Sequence, residues 1–585
     1  MPRRCAAAAF GILGLLVAGL PSAAAVGAMA PQETAAPSPS GPAGDPEAGR
    51  RLYETGIGAD GRPVQAVTQG DIPVRGDQVP CTGCHRRSGM GSSEGGRYVP
   101  PIAAPYLFQP RESNMLLRLE RFMEYFKQLQ PSYFYDDLRK PRLRPAYDDE
   151  TLARAITQGT DPVGRPLDPT MPRYGLGPTD LANLIAFLRG LGAAPDPGVD
   201  GNTFHFATIV GPGVSPERAE AYEKLVDAYA GWFNRDFSND TAHPGFSPFY
   251  RSDLLYTRRK WTIHHWRLEG APETWRAQLE DLYAAQPVFA VLGGAVDGPF
   301  DAVDAFCNEK RLACIFPVVE LPPLKESYQG GYVLYLSLGL VGEARGLARY
   351  LAEDPARLGE GALPVLAAPD PWGRRAADAF GGEWAAAGSP AAPAREEVGG
   401  ERAWRRALRA LAGRAAAVVF PGRQEAQVIA ALARLKPEEL PDLVYLPGSV
   451  MPALKGVELP AQVAARIRIA SRFDDPKAMH PDSYRARAWI RSRRLAIPDW
   501  NLMRETFFAL RLVDNALEPL QADYYRDYLI EILEHITEVG LDPGPFPHPE
   551  LGPEQRVASR GVYIMRWDPV DRIPVPVSPW VVIGG

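Results

Sequence analysis

Phe204-His205-Phe206-Ala207-Thr208-Ile209-Val210 is a short apolar run closed by Gly211-Pro212-Gly213. An apolar run of this length, bounded by breakers, reads as a buried strand. A long helical stretch follows, from Ser215 to about Phe233. The alternation then repeats. Val288-Phe289-Ala290-Val291-Leu292 precedes Gly293-Gly294, and a helix is expected from about Phe300 to Lys310. Cys314-Ile315-Phe316-Pro317-Val318 is strand-like again, as are Leu363 to Ala367, Ala416 to Phe420 and Leu443 to Leu446. Continuous apolar strands alternating with helices mean a parallel sheet covered on both faces. The pattern runs from Thr203 to Gly585, longer than one ordinary domain of ~100–200 residues, so two lobes are expected.

Upstream of this pattern, Ala193-Ala194-Pro195-Asp196-Pro197-Gly198 is a run of breakers that marks a boundary. Before it, Pro178-Thr179-Asp180 is a helix start signal, and Leu181, Leu184, Ile185, Leu188 and Leu191 follow at helical spacing. The sharpest motif of the chain lies earlier still, at Cys81-Thr82-Gly83-Cys84-His85. Cys-x-x-Cys-His is the attachment motif of c-type haem. Two thiols at this spacing can add to two vinyl groups on one porphyrin edge, and the adjoining His85 then reaches the iron. A zinc half-site or a redox dithiol would use the same cysteines. Zinc wants a second ligand pair, and the only other cysteines beyond the N-terminal segment are Cys307 and Cys314. A dithiol wants a βαβ context, which the surrounding residues lack.

The N-terminus reads as an address. Arg3-Arg4, an apolar run from Cys5 to Leu20 and small residues at Ala23-Ala24-Ala25 make a secretory signal peptide over residues 1–25. Residues 26–44, mostly Ala, Pro, Ser and Gly, read as a flexible leader. Export to the periplasm suits haem attachment, which happens outside the cytoplasm. The net charge of the 585-residue chain is only -6, which argues against nucleic acid as a partner. Five cysteines are too few for a disulfide scaffold, although Cys307 and Cys314 could form one disulfide or remain two buried thiols. His264-His265 falls in an expected strand, where neighbours face opposite sides, so the pair reads as structure and not as a metal site. No Ser-His-Asp order, P-loop or paired-carboxylate motif points to an enzyme.

The haem motif, the early Gly49-Arg50-Arg51-Leu52-Tyr53 helix, the Thr170-Met171-Pro172 loop and the helix after Pro178 together resemble class I cytochrome c. The resemblance implies an all-α domain over residues 45–195, followed by a linker at 196–202. It implies one covalent haem c, held by Cys81 and Cys84, with His85 and Met171 as axial iron ligands. Pro100-Pro101-Ile102 resembles the segment whose proline carbonyl orients the proximal His, with Pro101 expected in that role. Met90, Met115 and Met123 compete with Met171. The stretch from Phe108 to Tyr147 is longer than that family needs, and Leu116, Leu119, Phe122, Met123 and Phe126 suggest an extra amphipathic helix in it.

From residue 203 to 585 the order of elements resembles the type I periplasmic binding proteins of the branched-chain amino-acid receptor group. Val291-Leu292-Gly293-Gly294, Ala368-Pro369-Asp370-Pro371-Trp372-Gly373 and Val419-Phe420-Pro421-Gly422 carry that likeness. It implies an α/β two-lobed fold with a small-molecule solute in the interlobe cleft and a membrane permease as partner. Gly293, Gly294, Asp297, Glu320, Asp370, Trp372 and Arg423 are the expected cleft residues. The first loop lacks a hydroxyl and carries Asp297, which would repel a carboxylate and favours a neutral or cationic solute. The expected function is one-electron transfer to or from a redox partner protein in the periplasm, as in a quinoprotein dehydrogenase chain. The alternative is a solute receptor of an ABC-type uptake system, with haem as redox reporter.

Overall fold

The computed structural model describes residues 44–94, 97–113, 142–242, 258–325, 328, 330–389, 392–478, 480–535, 544–553 and 555–583. The signal peptide, nearly all of the leader, Met115, Met123 and the extra helix expected around Leu116–Phe126 lie outside the described residues.

The described residues up to Gly190 build a small mixed unit. Helix α1 (Pro46–Thr55) is capped by Asp45, whose side chain accepts from the Glu47 N–H, and ends at Gly56 in the left-handed region. Strands β1 (Gln65–Thr68) and β2 (Ile72–Arg75) form a hairpin, and the one-turn helix α2 (Thr82–His85) carries the Cys-x-x-Cys-His residues. Next come the pair β3 (Ser92–Glu94) and β4 (Arg97–Val99), α3 (Ala104–Leu107), and the pair β5 (Arg111–Ser113) and β6 (Arg142–Arg144). Helix α4 (Asp149–Gln158), β7 (Arg173–Tyr174) and α5 (Pro178–Gly190) complete the unit. Helices α1 and α5 cross closely. A Cβ at Gly49 would collide with the Asn183 carbonyl, the Tyr53 and Phe187 rings lie 5.2 Å apart, and the Asp45 N–H donates to Asn183.

The unit is not all-α, and that expectation is corrected. Strands β2, β1 and β7 make a three-stranded antiparallel sheet. Its hairpin turns through Gln69 and Gly70, both at positive φ (52° and 97°), a geometry that matches the twist of paired strands. These strands are two to four residues long, too short to leave a periodic signal.

The rest of the described chain forms two α/β lobes. In the first, β8 (Val199–Asp200) leads into β9 (Thr203–Val210), α6 (Pro216–Ala242), β10 (Lys260–Arg267), α7 (Trp275–Ala285), β11 (Ala290–Leu292) and β12 (Ala295–Pro299). Helix α8 (Asp301–Glu309), β13 (Ala313–Ile315), β14 (Val318–Leu321) and β15 (Val333–Leu334) follow. The second lobe contains α9 (Gly339–Ala352), β16 (Pro364–Ala367), α10 (Pro371–Ala386), β17 (Ala394–Glu397), α11 (Glu401–Ala410), β18 (Ala416–Phe420), α12 (Glu425–Ala433), β19 (Leu443–Pro447) and β20 (Ile467–Ser471). The chain then returns to the first lobe with α13 (Pro481–Ser492), α14 (Trp500–Leu517) and α15 (Arg526–Glu534). It ends in the second with β21 (Gly561–Asp568), β22 (Ile573–Pro576) and β23 (Val581–Val582).

The strand orders are the strongest statement of the fold. In the first lobe β10-β9-β11-β13-β15 is parallel throughout, and β12 and β14 extend it beside the end of β9. In the second, β17-β16-β18-β19-β20 repeats the same 2-1-3-4-5 order, continued by antiparallel β21 and β22. This is a doubly wound order with a switch point beside the first strand. Each sheet buries an apolar layer on both faces, and every residue of β16 and β18 is buried. Three crossovers join the lobes, after β15, after β20 and after α15.

Helix α5 ends at Gly190, four residues before the Pro-Asp-Pro-Gly run, and the stretch expected as a linker is itself structured. Its β8 pairs antiparallel with β9. Asp196 accepts from the Arg526 N–H at 2.7 Å and so caps α15, and its own N–H donates to the Tyr524 carbonyl. Cap geometry fixed from a distant segment ties the first unit to the first lobe.

Candidate functional sites: an interlobe cleft and a cysteine–histidine turn

In doubly wound sheets the loops at the carboxyl ends of the strands, beside the switch point, form the crevice in which ligands bind. Here those loops follow β9 and β11 in one lobe and β16 and β18 in the other. Gly293 and Gly294 turn the chain from β11 toward β12 at φ 62° and 132°, and the Gly293 N–H is already used by the Ile315 carbonyl. They shape the loop. Asp370 is also structural, because its carboxylate accepts from the Gly373 N–H at 2.8 Å and the Arg423 N–H at 2.9 Å. It locks the two switch-point loops of the second lobe together.

The other expected residues face one another across the lobes. Asp297 accepts from Arg218 at 2.8 Å and is paired at 3.3 Å with Arg423 of the opposite lobe. Arg423 lies over the Trp372 ring, 4.3 Å from its centroid. The Trp372 indole N–H is buried without a hydrogen-bond partner. Arg375 and Asp301 make a second bridge between lobes at 2.9 Å. Glu320, on β14, makes a bidentate pair with Arg472 at 2.6 and 2.9 Å.

Arg472 begins the second crossover, and around it lies a group of residues that the sequence reading missed. Glu343 on α9 accepts from the Gly448 N–H at 2.8 Å and lies 3.5 Å from Arg472. Arg504 and Glu505 on α14 are buried nearby, and Glu505 Oε1, Arg472 Nε and Arg504 Nε have no hydrogen-bond partner. Burial pushes the Glu505 and Glu343 carboxyls up to about 7, against the pull of Arg472. Burial holds Arg504 down to about 10. For Glu320 burial acts upward, but the charge and hydrogen bonds of Arg472 outweigh it, and the carboxyl sits below its ordinary value.

These raised carboxyls have a consequence for stability. From an ordinary 4.5 up to about 7, the folded chain holds protons on Glu343 and Glu505 that the unfolded chain has released. Their contribution is whole below the ordinary value and is lost as pH rises through about 7. Denaturant melts of Glu505→Gln at about pH 5 and about pH 8 are expected to differ less than those of the wild type. An unchanged difference would remove Glu505 from this role.

The Cys-x-x-Cys-His residues occupy a single helical turn, closed by the His85 N–H donating to the Cys81 carbonyl at 2.8 Å. Its surroundings hold it on three sides. Thr82 Oγ1 donates to the Glu54 carbonyl, the Tyr53 hydroxyl to the Arg86 carbonyl at 2.6 Å, and the Tyr174 hydroxyl to the Val79 carbonyl at 2.5 Å. Arg86 leaves the turn at φ 63°. Burial pushes the Cys81 thiol up to about 12, opposed by a hydrogen bond with Tyr174. Cys84 is exposed.

His85 is 8% exposed, and burial lowers its pKa to about 4, so the ring is neutral. Its Nδ1 lies 3.1 Å from the Pro100 carbonyl. With the proton on Nδ1 donated there, Nε2 keeps its lone pair, the arrangement found for ligating imidazoles. The orienting carbonyl belongs to Pro100 and not to Pro101, a correction of one residue. Ile102 N–H donates to the Gly89 carbonyl at 2.7 Å and sets the register of that loop. Met171 is half-buried in a loop anchored to β1 through Thr68 Oγ1 and the Thr170 carbonyl. Tyr174, three residues on, ties that loop to the cysteine turn. A neutral, buried, carbonyl-oriented imidazole beside two cysteines on one turn fits haem c.

Two lesser expectations are resolved by distance. His264 meets His205 at 3.0 Å, while His265 meets Asp227 at 2.8 Å on the other side of the strand. Cys307 and Cys314 are buried thiols in mutual hydrogen-bond contact. Among the described residues no group of three or more His, Cys, Asp or Glu side chains could hold a metal ion, and no helix is long and apolar enough to cross a membrane.

The strand orders and three crossovers define a two-lobed, doubly wound α/β fold. No family model and no curated protein matches the chain. Among solved structures it is similar to a branched-chain amino acid ABC transporter protein from Thermus thermophilus with bound valine, at 13% identity and TM-score 0.47 over 66% of this chain and 97% of that one. It is similar to a fatty acid ABC transporter substrate-binding protein from Thermomonospora curvata, at 15% identity and TM-score 0.44 over 66% and 94%. A third similar structure is an ABC transporter solute binding protein from Rhodopseudomonas palustris with 3,4-dihydroxybenzoic acid, at 15% identity and TM-score 0.44 over 66% and 99%.

Proposed function

We propose that this chain is an exported solute-binding receptor of the ABC-type uptake kind, working with a membrane permease. The convergence of Asp297, Arg423, Trp372, Glu320 and Arg472 from both lobes and a crossover carries this reading. Their charges are largely matched, because Arg218 and Arg423 share Asp297 and Arg472 holds Glu320. Among the described residues of this group, the side-chain atoms left over are the Glu505 oxygen, the Trp372 indole N–H and the Nε–H groups of Arg472 and Arg504. That set suits a small polar solute, neutral or cationic, offering a donor to Glu505 and acceptors to the N–H groups. Binding raises the melting temperature by mass action. A broad panel of amino acids, amines, polyols and phenolic acids is expected to contain a solute that does so. A panel without effect on melting would sink the receptor reading.

A second reading stands beside it: one covalent haem c on the first unit, passing single electrons to a redox partner protein. The Nδ1 contact of His85 with the Pro100 carbonyl favours it. Cys81 and Cys84 would tether the group, and His85 and Met171 would ligate its iron. Bound haem c supplies a reversible one-electron couple. The protein's own part is to keep His85 neutral, fix its tautomer through Pro100 and hold the cysteine turn through Tyr53, Thr82 and Tyr174.

A further inference from the structure

The loop that follows the cysteine turn ends inside the first α/β lobe. Ser88 is 3% exposed, and its N–H donates to Glu531 Oε1 of α15 at 2.9 Å. The Ser88 hydroxyl makes a short hydrogen bond with Glu531 Oε2 and accepts from the Met90 N–H at 3.0 Å. Arg87 lies 3.4 Å from Asp527 and over the Tyr332 ring. Met90, Ala103 and Tyr525 form a small apolar cluster beside this junction.

Glu531 is 8% exposed, and no cation pairs with it among the described residues. The charged and titratable groups around it are Asp527 and Glu534 on its own helix, Arg87 on the Ser88 loop, Tyr53 on α1, Tyr332 before β15 and Arg556 before β21. Arg556 is committed to Glu534 at 2.8 Å, and Arg87 leans to Asp527. Burial, with the negative neighbours Asp527 and Glu534 adding to it and the Ser88 hydrogen bonds opposing, pushes the Glu531 carboxyl up to about 8.

We propose that Glu531 is a positioning residue for the haem-bearing loop and its redox-linked proton acceptor. The proposal rests on the haem reading above. The carboxyl grips Ser88, three residues beyond His85, from a helix that is 443 residues away in sequence. One electron from an external mediator reduces the site, and one proton from bulk water joins Glu531 Oε2. Oxidation returns both. The oxidised site carries one more positive charge, which favours the carboxylate, so proton affinity is higher in the reduced form.

The test is a redox titration of the full chain matured with haem, read by absorbance from about pH 6 to about pH 10. The wild-type midpoint potential is expected to fall as pH rises through the region of about 8. A tenfold difference in proton affinity between the redox states corresponds to ~59 mV for one electron. Glu531→Gln is expected to abolish the slope. Asp527→Asn, which removes a negative neighbour, is expected to keep the slope and move it to lower pH. Ser88→Ala, which removes one hydrogen bond to the carboxylate, is expected to move it to higher pH. A haem-bearing wild type with a flat profile, or Glu531→Gln with the wild-type slope, overturns the proposal alone. A chain that matures without covalent haem overturns the haem reading and the proposal with it.

Discussion

Cys81→Ala with Cys84→Ala, expressed where c-type haem is matured, yields a chain with no covalently held haem. The expected loss is complete, because thioether bonds need both the thiols and their spacing. Single replacements are expected to reduce attachment sharply while leaving some pigment on the remaining bond. The readout is haem staining of the denatured chain beside its reduced absorption spectrum. Met171→Ala is the companion variant. It keeps covalent haem and loses the sulfur-to-iron band if Met171 is the distal ligand. Pigment retained on the double variant would contradict the attachment site, and a band insensitive to Met171→Ala would contradict that ligand alone.

The second large effect is one of stability. Arg556 and Glu534 are both almost fully buried and paired at 2.8 Å. Arg556 also donates to the Gly552 carbonyl at 2.6 Å and the Gly331 carbonyl at 3.0 Å. Removing one partner leaves the other charge buried and alone, which costs about 3–5 kcal/mol. Arg556→Met is therefore expected to lower the denaturation midpoint strongly. Arg556→Met combined with Glu534→Leu is expected to recover much of the loss, since an apolar pair leaves no orphan charge. A single variant as stable as the wild type would show that Glu534 finds another partner or takes up a proton at little cost.

The lobes were legible because buried parallel strands are continuous apolar runs, and the runs at Phe204, Ala416 and Leu443 fall within β9, β18 and β19. The short sheet of the first unit was not, because two to four residues carry no period. Of the expected cleft residues, Asp297 pairs with Arg423 across the lobes, Arg423 covers Trp372 and Glu320 holds Arg472, while Gly293, Gly294 and Asp370 shape the loops. Glu343, Arg472 and Glu505 were invisible to motif reading. They come from three separate segments, and only the crossovers bring them together. The carbonyl on His85 was placed one residue late, because carbonyl direction depends on loop register that composition does not encode. The grip of Glu531 on Ser88 joins residues too far apart for any spacing rule.

These parts bear on one another. Helix α14 carries Asp499 at its cap, paired with Arg218 beside Asp297, and Glu505 near Arg472. Helix α15 follows it in the chain and holds Ser88. The loops around Asp297 and Arg472 and the loop after the cysteine turn therefore touch consecutive helices of one lobe, a short physical route between the two proposed sites. Coupling between two such sites would be reciprocal.

The most direct test of the cleft as a solute site is melting of the wild type, Arg423→Ala and Glu505→Gln with a solute that stabilises the wild type. The account predicts that the shift is lost or greatly reduced in both variants while the unliganded chains still melt cooperatively. A shift of equal size in all three chains would place the solute elsewhere and contradict the cleft assignment.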